Sequence, residues 1–141
     1  MSSVFTRIIE GELPARFVWR DATCVAFLSI NPLQPGHTLV VPRVEVDQWI
    51  DLDEPTAARV MAVARHIGQA QREVFRPARV GLIVAGYEVP HCHVHVVPTI
   101  SMADFDFTRA AQDPDPAGLD AAAEQLRDAL VALGHPEATR T

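Results

Sequence analysis

Three histidines alternate with other residues in the run Pro90-His-Cys-His-Val-His-Val-Val-Pro98, placing His91, His93 and His95 at period two. On an extended strand side chains alternate faces, so all three imidazoles point the same way, at steps of roughly 6 to 7 Å. Cys92, Val94 and Val96 then face the other side as core. A neutral imidazole nitrogen is a nucleophile toward phosphorus or acyl centres, and histidine changes charge near neutral pH. Three on one face invite a division of labour. His93, with an imidazole on each side, is the candidate nucleophile, its second ring nitrogen being free to bond a backbone carbonyl. His95 is the candidate to donate hydrogen bonds to an attacked phosphoryl group or to protonate a leaving atom. A second chemistry stands open on the same residues, because three imidazole nitrogens with a vacant fourth position match a catalytic zinc site. No metal is expected, since no further carboxylate or cysteine ligand accompanies the run.

The elements that must hold these residues follow from periodicity and breakers. Residues 4–9 begin a short helix, and Glu10-Gly-Glu-Leu-Pro14 breaks it. Residues 16–20 and 23–29 pair as antiparallel strands around Asp21-Ala22. A Pro- and Gly-containing loop over 31–36 leads into a strand over 37–43, opened by His37. Residues 54–75 carry Val60, Val63, Ile67, Ala70 and Val74 on one stripe, which predicts a long amphipathic helix with Asp53 as N-cap and Pro77 beyond its end. Residues 80–86 predict a buried strand, and the histidine strand follows over 91–98. Residues 101–118 are rich in Asp and Pro and predict a surface loop before a last helix over 119–133. His66 and His135 are expected on the solvated surface.

At 141 residues and 48% hydrophobic, the chain suits one domain with a real core, spanning 1–141. A net charge of -6 argues against a general basic field for a nucleic-acid polymer, while leaving room for a small phosphorylated ligand held by local donors. Cys24 and Cys92 form no CxxC pair, which fits a reducing cytoplasm rather than a disulfide framework. No apolar run approaches the ~20 residues of a membrane span, and no secretory leader is expected.

The H-x-H-x-H run with its apolar tail resembles the signature of the histidine triad (HIT) proteins, nucleotide-binding hydrolases and transferases. The similarity extends to Phe5-Thr-Arg-Ile-Ile-Glu-Gly-Glu-Leu-Pro14, which looks like the family's opening segment. Ala26-Phe-Leu-Ser-Ile-Asn-Pro32 looks like its nucleoside-side strand, and Pro35-Gly-His-Thr-Leu-Val-Val-Pro42 like its histidine-bearing strand. About residues 4–98 are covered. The resemblance implies an α+β, HIT-like fold: a five-stranded antiparallel sheet with one long and one C-terminal helix, paired into a two-fold homodimer. It implies a nucleotidyl-histidine formed on His93, with His95 assisting the phosphate and leaving group. His91 would orient His93 through its backbone carbonyl, and His37 would support the triad from an adjacent strand. Phe5, Ile8, Phe27 and Ile30 match an apolar slot for a purine base, and Gly86 a point of close backbone approach to the phosphate. Thr6 stands where zinc-binding branches often carry Cys, so no structural metal and no cofactor is expected.

Four features depart from the pattern. Ser29 stands where Asp or Asn commonly bonds the ribose hydroxyls. The stretch 79–87 is short and lacks the usual Asn or Gln, and Tyr87 replaces a glutamine. Glu88 stands where several branches have Ser or Thr; an anion there repels phosphate, so either it points away or an amine-bearing leaving group is favoured. The expected substrates are nucleoside phosphoramidates or dinucleoside polyphosphates. The alternatives are a nucleotide-sensing module with little turnover, or a three-histidine metal hydrolase.

Overall fold

The computed structural model of the chain describes residues 2–140. Its elements are helix α1 (Val4–Ile9), strands β1 (Phe17–Arg20), β2 (Cys24–Leu28) and β3 (Thr38–Pro42), and the long helix α2 (Glu54–Phe75). Strands β4 (Arg79–Ile83) and β5 (Val94–Thr99) and helix α3 (Pro116–Ala132) follow. The strands form one five-stranded antiparallel sheet in the order β1-β2-β3-β5-β4. This is the α+β architecture with one long and one C-terminal helix that the sequence predicts.

Local chemistry explains the joints. The Asp21 carboxylate accepts the backbone N–H of Thr23 and of Cys24, each at 2.8 Å, and so closes the turn between β1 and β2. Asp53 caps α2 by accepting the Thr56 N–H at 2.8 Å, and Arg76, at φ 47°, ends it ahead of Pro77. Because α2 lies between β3 and β4 in sequence, β5 can enter between them and become a central strand.

The sheet separates two apolar clusters. On one face α2 and α3 pack Val63, Ile67, Leu126 and Leu130 against Val40, Val94 and Val96. On the other, α1 brings Phe5 onto Phe17, Val25, Phe27, Leu39 and Val41. The alternation along β5 therefore divides as expected, with Val94 and Val96 toward the long helices and His95 paired with Leu39 on the second face. Gln71, fully buried, donates from Nε2 to the Gly36 and Val96 carbonyls at 2.9 and 2.8 Å, tying α2 to the turn before His37 and to β5. Gly36 is obligatory there: its φ is 89°, and a side chain would run into the Phe75 ring.

Four expectations are corrected. The segment predicted as a buried strand over 80–86 pairs only over Arg79–Ile83, and Val80, Leu82 and Val84 are exposed, because β4 is the edge strand, with no neighbour on its far side among the described residues. The histidine strand becomes regular only at Val94, so His91 and His93 sit in the extended lead-in. Helix α3 begins at Pro116 because Asp115 accepts the Ala117 N–H, and the preceding loop contains short turns at Met102–Phe105 and Phe107–Arg109. His66 and His135 are half-buried rather than solvated: their rings lie 4.3 Å apart and 5.6 and 5.2 Å from buried Trp19.

Candidate active site

The histidines converge where β3 and β5 run side by side. His37, His91, His93 and His95 are all at most 5% exposed, and each ring has a defined set of partners. His91 donates from Nε2 to the Pro42 carbonyl at 2.8 Å, a bond only an N–H can make. Its Nδ1 is therefore the acceptor for the Ser3 hydroxyl at 2.7 Å. Ser3 in turn caps α1 and, with Thr6, bonds the Glu45 carboxylate. Both nitrogens of His91 are thus consumed in fixing its own position.

The His91 carbonyl accepts the Nδ1–H of His93 at 2.7 Å. That bond leaves Nε2 as the nitrogen of His93 that can react. The Phe5 ring stands edge-on to His93 at 4.9 Å and holds the plane of the imidazole.

His95 is oriented by a chain of bonds that begins in the main chain. The Leu33 N–H donates to His37 Nδ1 at 3.0 Å, so the proton of neutral His37 must sit on Nε2. That N–H donates to His95 Nδ1 at 2.9 Å, which places the His95 proton on Nε2, facing the same space as His93 Nε2. Burial, reinforced by His95, pushes His37 down to about 3, so its neutral form persists at working pH. Burial also lowers His91, and burial with the neighbouring His93 lowers His95. The result is one ring nitrogen, His93 Nε2, left free of the backbone beside one fixed donor.

Glu88 does not point away. Its Oε1 lies 2.5 Å from His93 Nε2 and 3.2 Å from His95 Nε2. Partial desolvation raises the Glu88 carboxyl, but the hydrogen bond from His93 and further local bonds outweigh it and hold it below the usual range. Glu88, His93 and His95 each offer an atom within 4.8 Å of the others, a carboxylate that the sequence reading did not expect beside the run. The donor set nonetheless does not fit a divalent ion. His95 presents an N–H, and freeing its lone pair would force two N–H groups together at the His37 contact. The three-histidine zinc reading fails on the same accounting, since His91 has no nitrogen left to give.

The remaining predicted residues divide. Phe5, Phe27 and partly buried Ile8 pack together beside the imidazoles with Val89, whereas Ile30 is 71% exposed and stands apart from that cluster. Ser29 is half-buried, its hydroxyl accepting the Asn31 N–H at 3.2 Å. Gly86 has a φ of 90° and open space where a side chain would go, so its backbone conformation rather than crowding calls for glycine. Tyr87 is fully exposed. Ser3, Thr6, Glu45 and the Leu33 amide are additions that sequence reasoning missed. Only Ser3 carries a local signal, as an N-cap before a helix.

A HIT domain family model matches residues 10–102. A HIT-like protein of Borreliella burgdorferi is 35% identical over 113 residues, 75% of this chain and 81% of its own length. An adenosine 5'-monophosphoramidase of Schizosaccharomyces pombe is 27% identical over 99 residues, 70% of this chain and 74% of its own. Among solved structures, a zinc-bound histidine triad protein from Mycobacterium smegmatis aligns with TM-score 0.80 and 31% identity, over 94% of this chain and 96% of that one. With the family model spanning most of the chain and the four histidines assembled in one buried cluster, the chain belongs to the histidine triad (HIT) family.

Proposed function

We propose that this protein hydrolyses or transfers the nucleotidyl group of nucleoside phosphate conjugates, through attack of His93 Nε2 on the α-phosphorus. The observation that carries this reading is the commitment of His93 Nδ1–H to the His91 carbonyl, which leaves Nε2 alone to react, next to the His95 Nε2–H. As the N–P bond forms, His95 donates to a phosphoryl oxygen, and water then releases the nucleoside monophosphate in a second displacement. The apolar wall of Phe5, Ile8 and Phe27 supplies a flat surface for a base. The adenosine 5'-monophosphoramidase activity of the fission yeast relative agrees with this chemistry. Incubation with an adenosine 5'-phosphoramidate, quenching in alkali and peptide mapping should find an adenylyl group on His93. Monophosphate release with no adduct on that residue would sink the covalent reading, and bound nucleotide recovered intact would favour the sensing module that the Glu88 contact also suits.

The active unit in this proposal is a homodimer in the cytoplasm. Among the described residues no helix is long and apolar enough to cross a membrane. The free edge of β4 is flanked by exposed Val80, Leu82 and Val84, with Met61 and Trp49 beside them. Leu82, Val84, Met61 and Trp49 line an open groove of about 410 Å³ with Leu52 and Cys92, an apolar face that a second copy related by a two-fold axis would cover. Sedimentation at micromolar concentration should give twice the 15.5 kDa chain mass; a monomer would overturn the pairing.

A further inference from the structure

We propose that Glu88 carries the proton that the leaving group takes, and so commits the site to conjugates whose leaving atom is an amine nitrogen. The inference rests on the nucleophile reading above and names the substrate class of the same site.

The short contact is the starting point. A carboxylate oxygen and an imidazole lone pair are both acceptors, and they do not sit at 2.5 Å unless a proton lies between them. His93 has already given its Nδ1–H to the His91 carbonyl, so the proton in the Glu88 contact is an additional one. In the free site, Glu88 Oε1 occupies the place of a phosphoryl oxygen, held by both Nε2 atoms. Attack by His93 requires that this proton leave Nε2. Among the described residues the acceptor bonded to that nitrogen is Glu88, half-exposed and borne on the connection between β4 and β5 rather than on a strand.

An entering phosphoryl group displaces the carboxyl, which departs with the proton and leaves the Nε2 lone pair free. The N–P bond forms, the P–N bond to the leaving group breaks, and Glu88 delivers its proton to the departing nitrogen, releasing a neutral amine. Glu88, now a carboxylate, accepts a proton from water as the oxygen attacks phosphorus. The histidyl N–P bond then breaks, and the shared proton is restored. A phosphate or polyphosphate leaving group needs no such proton and brings negative charge against the carboxylate.

The test compares wild type with Glu88→Gln and Glu88→Asp on two probes that share an adenosine 5'-phosphoryl half. One is an alkylamine phosphoramidate, whose nitrogen leaves only when protonated. The other is the p-nitrophenyl ester, whose phenolate leaves unaided. Glu88→Gln should lower kcat/KM on the amidate about 100-fold and on the ester by a factor at least about tenfold smaller, and Glu88→Asp should restore part of the amidate rate. Turnover of a dinucleoside triphosphate should rise in Glu88→Gln. Equal losses on both probes, or no loss on the amidate, would overturn the proton-carrier role while leaving the His93 mechanism intact. Wild-type protein that turns over neither probe would overturn the nucleophile reading, and this one with it.

Discussion

His93→Ala should remove at least about four orders of magnitude from turnover of an adenosine 5'-phosphoramidate. No neighbouring imidazole can substitute, because each is already engaged. His91 gives Nε2–H to Pro42 and receives the Ser3 hydroxyl at Nδ1. His37 is held between the Leu33 amide and His95. His95 faces the site with an N–H, not a lone pair. What remains after the substitution is a donor and an apolar wall, which bind without attacking. A His93→Gly variant supplied with free imidazole should recover part of the rate, because the small ring can reoccupy the space beside Phe5. His93→Ala retaining more than about a tenth of the wild-type rate would sink the assignment.

The folded state should weaken steeply as pH falls from 6.5 toward 5, well before carboxylates titrate. In the unfolded chain a histidine titrates near 6.5. Burial, and secondarily His95, pushes His37 down to about 3 in the fold, and burial lowers His91 and His95 as well. The unfolded state therefore binds protons first. The stability held by these neutral rings is fully present above pH 6.5 and is lost as pH falls from there toward their folded values. Each strongly shifted group contributes a slope of about 1.4 kcal/mol per pH unit, so His37 alone should cost roughly 2 kcal/mol between pH 6.5 and 5. Asp21, Glu45 and Glu88 are shifted downward, so their contribution is lost only at lower pH. Urea midpoints at pH 7.5, 6.5 and 5 check the slope, and His37→Asn should flatten it. A midpoint unchanged down to pH 5 would refute the neutral, buried histidines.

Much of this arrangement is legible in the residues themselves. Alternation at 91–98, the α2 stripe and the Asp21 turn each encode local geometry, and local geometry is what sequence periodicity reports. The misses have a common cause, which is partners distant along the chain. The apolar run Val80-Gly-Leu-Ile-Val84 is the same whether a strand is central or at an edge, and its exposure follows from β5 inserting between β3 and β4. Ser3 meets His91 across 88 positions, and the amide of Leu33 that sets the His95 proton has no side-chain signature at all. Glu88 stood between two orientations in the sequence, and only the geometry places its oxygen between the imidazoles of His93 and His95.

The packing of Trp19 against His66 and His135 has a spectroscopic consequence. The chain has two tryptophans, and they report on different events. Trp19 is fully buried, donates to Asp21 at 2.8 Å, and lies against two imidazoles, one of them in the segment that follows α3. Its emission should be blue and should change when the C-terminal segment lifts away. Trp49 is 59% exposed in the groove beside β4, so its emission should be red until something covers that face. One unlabelled fluorescence spectrum should thus carry two separable signals, one for docking of the C-terminal segment and one for covering of the groove beside β4.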